Sequence, residues 1–143
     1  QNYNAPLDRI DILGSTPKHT DHFLTYNDID ICLDTFPYSG GTSTADALWM
    51  GTPVITLMGS CLAERMSASM LYATGMDNWV TETTADYIAL AVQCHADIET
   101  IRGTKHDIRN QLMTSPLRDG QGIASALEDA YFTMYQDAKE RSF

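Results

Sequence analysis

The segment Asp34-Thr35-Phe36-Pro37-Tyr38-Ser39-Gly40-Gly41-Thr42-Ser43-Thr44-Ala45-Asp46 concentrates glycines, hydroxyls and carboxylates in one short stretch. Gly40 and Gly41 let a ligand approach the backbone closely. If a helix starts at Thr42 or Ser43, the amides of Thr42, Ser43 and Thr44 precede its first internal hydrogen bond, and its dipole favours an anion there. Three hydroxyls add donors. The chemistry this suits is the cradling of a pyrophosphate by backbone amides. An ordinary glycine turn with a Ser/Thr cap fits the same residues. Walker A needs a lysine that does not follow here, and the dinucleotide fingerprint needs a third spaced glycine.

Asp46 has two readings. Ser43 and Asp46 have capping-box spacing. Alternatively, a carboxylate on the first turn would repel a docked phosphate and should turn aside, toward a hydroxylated group such as a ribose. His19 and His22 are three apart, which suits a metal pair, but no third ligand is evident, and an exposed helix face accounts for them equally. Asp28-Ile29-Asp30 spells the DxD triplet of metal-dependent glycosyltransferases, yet it precedes a strand and reads as a loop and strand start. Asp34 at a strand end could suggest a phospho-acceptor. That chemistry wants a lysine on a later strand, and Lys18, Lys105 and Lys139 all fall in predicted helices.

The elements that must position these residues alternate. Arg9–Leu13 alternates with period two and predicts a strand ending at Gly14. Thr16-Pro17 should start a helix running to about Tyr26. Asp30–Thr35 predicts a second strand. A helix follows from Thr42 or Ser43 to about Met50, stopped by Gly51. Pro53–Met58 is apolar on both faces, as in a buried parallel strand. Helices are expected over about 62–74, 85–95, 97–113 and 121–139, with a short strand near Trp79-Val80. Strand–helix alternation predicts βαβ units and a parallel sheet, an α/β, Rossmann-like open architecture with the later helices packed across it. Ligands of such sheets bind beyond the carboxyl ends of the strands, where the Gly40-Gly41 segment falls.

The chain has 143 residues, 43% hydrophobic and 20% charged, enough for one globular domain. Nine basic residues face nineteen acidic ones, a formal charge of -10. Such a chain should repel nucleic acid and anionic lipid, so any phosphate must be held locally. Cys32, Cys61 and Cys94 form no CxxC pair and lie in apolar runs, which predicts buried free thiols in a reducing compartment. No apolar run is long enough to span a membrane and no signal peptide is evident.

The run from Asp30 to Leu57 resembles the C-terminal half of the protein O-GlcNAc transferase and SPINDLY family. The likeness continues through Glu64-Arg65-Met66-Ser67-Ala68-Ser69 to Ser115-Pro116-Leu117, covering roughly Leu13 to Tyr135. The Phe36-Pro37-Tyr38 form looks like bacterial members, which commonly carry tetratricopeptide repeats ahead of the transferase. The resemblance implies a GT-B fold, two Rossmann-like halves with the active site between them, of which this chain would be a donor-binding part, single-domain and truncated on its N-terminal side. It implies a nucleotide-sugar donor, UDP-GlcNAc or a relative such as GDP-fucose, held without a metal ion, and transfer to Ser or Thr of proteins. Gly40, Gly41, Thr42 and Ser43 would hold the diphosphate, Asp46 the ribose, and His22 would pack on the uracil. A family lysine falls by spacing on His19, with Lys18 beside it. Gly41 stands where animal members have a histidine. The acceptor half and the first strands of this half would lie outside the chain, so the fragment alone should be inactive and contain no catalytic residue. A cytoplasmic, soluble protein is expected, and an exposed sheet edge invites pairing with a second copy. A non-catalytic scaffold and a different Rossmann-like nucleotide binder are the rival readings.

Overall fold

The structure, a computed structural model, describes residues 6–141. Its centre is the β-branched strand β2 (Val54–Leu57), flanked in parallel by β1 (Cys32–Leu33) and β3 (Val80–Thr81) in the order β1-β2-β3. Cys32 aligns with Val54 and Leu33 with Ile55, and Thr56 aligns with Val80 and Leu57 with Thr81. Parallel neighbours need crossovers, supplied by α2 (Thr42–Trp49) and α3 (Met66–Ala73). The open parallel α/β sheet expected from the alternation is therefore present.

α1 (His19–Thr25) precedes the sheet, and α4 (Thr84–Ala96), α5 (Ile98–Gly103), α6 (Lys105–Thr114) and α7 (Gly120–Glu140) follow it. Thr83 caps α4 by accepting from the Asp86 amide. α4 packs on β2 and α6 packs on α2. The core between these layers holds Leu48, Ile55, Leu71 and Met76, all essentially inaccessible, with Trp79, Tyr87, Ile108 and Leu112 around them. Burying four such side chains contributes on the order of 6–12 kcal/mol of transfer free energy, before entropy is counted.

Gly51 ends α2 as expected. At φ +79° it donates to Leu48 O at 3.1 Å, while Thr52 N reaches back to Ala47 O at 2.8 Å. These two bonds satisfy carbonyls that the helix end leaves open. A β-carbon on Gly51 would also lie 2.3 Å from the Lys105 carbonyl oxygen. Gly51→Ala is therefore expected to destabilise the fold by about 3 kcal/mol, from left-handed strain and overpacking together, read as a lower urea midpoint.

Several expected elements differ. Arg9–Leu13 is not a strand: Leu7–Arg9 makes a 3-10 turn, and Ile12 and Leu13 are 93% and 74% exposed. Alternation permits a strand but a ladder needs a neighbour, and none pairs with this segment among the described residues. α1 begins only at His19, because Lys18 is extended at φ -120°, ψ 144°, leaving Thr16, Pro17 and Lys18 outside it. The strand at Asp30–Thr35 shortens to the two residues that face β2. The helix expected over 62–74 opens as a 3-10 turn, Leu62–Glu64, before α3. The one expected over 97–113 breaks at Thr104, whose hydroxyl donates to Ile101 O at 2.7 Å and leaves α5 and α6 as separate helices. α7 does not pack across the sheet and buries no residue. Cys94 is buried and Cys32 half-buried, but Cys61 is exposed, because the chain leaves β2 there and turns outward. Burial pushes the Cys32 thiol up to about 11. Among the described residues no helix is long and apolar enough to cross a membrane.

Candidate functional site

The loop after β1 is organised by Asp34. One carboxylate oxygen accepts from the amides of Thr35 at 3.0 Å and Gly40 at 2.8 Å, and the other accepts from the Thr56 hydroxyl at 2.7 Å. The loop is thereby closed on itself and fastened to β2. Tyr87 of α4 donates its hydroxyl to Asp34 O at 2.8 Å and meets Phe36 edge-on. Burial, with the nearby Asp34 carboxylate adding to it, holds the Tyr87 phenol above its ordinary range.

Two serines tie the far end of the loop to α3. The Ser39 hydroxyl donates to Ala63 O at 3.0 Å and accepts from the Met66 amide at 3.1 Å. Ser67 donates to Gly40 O at 2.9 Å and lies 2.7 Å from the Thr44 hydroxyl. Ser39, Thr44 and Ser67 are all buried, so these bonds form away from water.

This frame presents the N-terminus of α2. Gly41 is its N-cap residue and no side chain caps it. Ala45 makes the first internal bond, to Gly41 O at 3.1 Å, so the amides of Thr42, Ser43 and Thr44 precede the ladder. Thr42 and Ser43 are exposed. Thr44 is not: its hydroxyl is engaged inside with Ser67, so the expected third donor is withdrawn. Gly40 is required by close approach, since a β-carbon there would lie 2.5 Å from the Thr44 hydroxyl oxygen.

The capping-box reading of Asp46 fails, because Ser43 is the second residue of the helix rather than its cap. Asp46 turns aside, toward α1, where its carboxylate meets His22 Nε2 at 3.4 Å. His22 packs edge-on against Tyr26, and the Tyr26 hydroxyl donates to Ser43 O at 3.4 Å. Burial raises the Tyr26 phenol, with smaller contributions from Cys32 and Asp46. The His19 ring stacks 6.3 Å from that of His22. Lys18 stands exposed as the N-cap residue of α1, and its carbonyl accepts from the His22 amide at 3.3 Å. A groove of about 200 Å³, lined by Tyr26, Asp34, Ser43 and Thr44 among others, opens beside the helix terminus.

The structure thus joins Gly40, Gly41, Ser43, Asp46, His22 and His19 and leaves Lys18 at the margin. Ser39, Ser67, Tyr26 and Tyr87 support the site and had no functional reading in the sequence. Asp34, considered there as a phospho-acceptor because it ends a strand, instead holds the loop in shape. Asp30 of the DxD triplet is held by Arg102 in a two-point ion pair of 2.9 and 3.0 Å, which lowers its pKa and accords with the loop reading. Among the described residues no group of three or more His, Cys, Asp or Glu is placed to hold a metal ion.

Comparison with known proteins matches residues 3–127 to the profile of glycosyl transferase family 41. A barley (Hordeum vulgare) relative named "Probable UDP-N-acetylglucosamine--peptide N-acetylglucosaminyltransferase SPINDLY" is 35% identical over 127 residues, 89% of this chain and 14% of its own length. A UDP-N-acetylglucosamine–peptide N-acetylglucosaminyltransferase of Caenorhabditis elegans is 32% identical over 75% of this chain and 9% of its own length. The solved structure of a Thermobaculum terrenum O-GlcNAc transferase mutant, K341M, superposes with a TM-score of 0.84 at 38% identity, covering 95% of this chain and 26% of that one. The chain therefore spans a small part of the proteins it resembles. With the profile covering most of its residues and relatives this similar along them, the chain belongs to glycosyl transferase family 41.

Proposed function

We propose that this chain is the donor-binding part of a protein O-linked glycosyltransferase that uses UDP-GlcNAc. The observation that carries the reading is the uncapped terminus of α2 beside the His22–Asp46 pair. A diphosphate at that terminus would be met by the Thr42 and Ser43 amides and hydroxyls, with Gly40 and Gly41 allowing the approach. Asp46, aimed away from the amides, would accept hydrogen bonds from a ribose. His22 offers a ring for the uracil, with His19 and Lys18 flanking it.

In transfer, the hydroxyl of an acceptor Ser or Thr would form the new bond to the anomeric carbon as the bond to the diphosphate breaks. Negative charge then grows on the departing diphosphate. Fixed amides aimed at it stabilise that charge without reorganising, and the helix dipole adds to them. On a chain of formal charge -10 this local arrangement supplies what the overall field does not, and it requires no metal ion. The acceptor surface would come from parts of the enzyme beyond this chain. Three free cysteines fit a cytoplasmic setting.

Calorimetric titration of UDP, GDP and NAD into the full chain tests this. UDP is expected to bind, and His22→Ala and Asp46→Ala are each expected to weaken it about tenfold or more. GDP binding in place of UDP would move the donor to a guanine nucleotide sugar. NAD binding alone, or none of the three, would overturn the reading.

A further inference from the structure

α6 begins at Lys105, whose two contacts serve none of the roles assigned above. Its main-chain carbonyl lies against Gly51, where a β-carbon would come within 2.3 Å of the oxygen. Its ammonium reaches the opposite way and donates to the carbonyls of Ile29 at 2.9 Å, Tyr26 at 3.3 Å and Asn27 at 3.5 Å. Tyr26 and Asn27 belong to the 3-10 turn, Tyr26–Asp28, that ends α1. Carbonyls at a helix end carry partial negative charge and favour a cation. A lysine has three donors for them. Lys105 thus bonds the end of α1 through its side chain, while its backbone lies against the glycine that ends α2.

Those two helices carry the site. α2 supplies Ser43 and Asp46, and α1 with its terminal turn supplies His22 and Tyr26. Among the described residues the two helices meet at two polar contacts, His22 to Asp46 at 3.4 Å and Tyr26 to Ser43 O at 3.4 Å, and just beyond α2 the Thr52 hydroxyl donates to Tyr26 O at 3.4 Å. The two contacts between the helices would open if α1 slid. We propose that Lys105 is a positioning residue of the nucleotide site: it sets the spacing of α1 and α2, and with it the placing of His22 against Asp46 and of Tyr26 against Ser43. The proposal rests on the nucleotide-binding reading for its effect on ligand, but its geometric part is measurable without ligand.

The test combines histidine-ring NMR with UDP calorimetry on the full chain. The His22 ring resonances are assigned by their loss in His22→Ala. Lys105→Met is expected to move them, and Asp46→Asn, expected to shift them in the otherwise wild-type chain, should no longer do so in that background. Lys105→Met should also weaken UDP about tenfold, with Lys105→Arg restoring most of the affinity because guanidinium still donates to several carbonyls. Ile108→Val, in the buried face of α6, is the control: it should lower the melting temperature while leaving the His22 resonances and UDP affinity in place. If Lys105→Met does not fold, Lys105→Gln, which keeps an amide donor, carries the same comparison.

Unmoved His22 resonances in the Lys105 variant would overturn the proposal whatever UDP does. So would equal loss of UDP in Lys105→Met and Lys105→Arg, or in Ile108→Val. Moved resonances in a protein whose wild type ignores UDP would uphold the positioning and reject the nucleotide.

Discussion

Gly40→Ala is expected to reduce UDP affinity by about 100-fold and to lower stability by about 2 kcal/mol. The added β-carbon would lie 2.5 Å from the Thr44 hydroxyl oxygen, 2.8 Å from that of Ser43 and 3.0 Å from an Asp34 carboxylate oxygen. Ser43 is exposed and can rotate away. Thr44 cannot do so freely, because it is 3% exposed and its hydroxyl is bonded to Ser67. Asp34 cannot either, because the same oxygen accepts from the Gly40 amide. The displacement must therefore fall on the backbone of the loop or on the first turn of α2, where the amides that would face the diphosphate sit. A shift of about 1 Å in such a site is enough for an effect of this size. Calorimetry with UDP and urea unfolding give the two readings. Wild-type affinity in Gly40→Ala would mean that the diphosphate docks elsewhere.

Asp34→Ala is expected to cost about 3 kcal/mol in unfolding free energy and to abolish measurable UDP binding. It removes the common acceptor of two amides and of Thr56, whose side chain is fully buried on β2. Leaving donors without partners costs more than the bonds themselves contribute. Asp34→Asn should cost only about 1 kcal/mol, since its oxygen still accepts from the amides and the Thr56 hydroxyl can reverse to accept from the new NH2 group. The contrast separates loss of charge from loss of the acceptor. An unfolding midpoint for Asp34→Ala equal to the wild type would show that the loop holds its shape by other means.

Much of this fold was legible because its signals are local. The β-branched run at Val54–Leu57, apolar on both faces, reads as the buried strand it forms. Gly51 stops α2 by a hydrogen-bond pattern that spans six residues. The glycine pair followed by hydroxyls marked the terminus of α2. Each of these depends on residues close in the chain, so composition and spacing carry the information.

Arg9–Leu13 has the pattern of a strand, yet a strand exists only where another pairs with it. Thr44 looked like a ligand donor, yet it faces inward because Ser67 meets it from 23 residues away. Cys61 lies in an apolar run but at the outward turn of the chain. The supports of the site join positions far apart: Ser39 to Met66 over 27 residues, Tyr87 to Asp34 over 53, and Lys105 to Tyr26 over 79. By itself the sequence determined the strand–helix order from β1 onward, the place of the glycine turn that opens α2 and the side chains available there, since these follow from backbone preference and local hydrogen bonding. Which of those side chains face a ligand, and what holds them at that spacing, was decided only when distant segments packed, because a buried hydroxyl, carboxylate or ammonium takes its direction from whatever partner the fold brings to it.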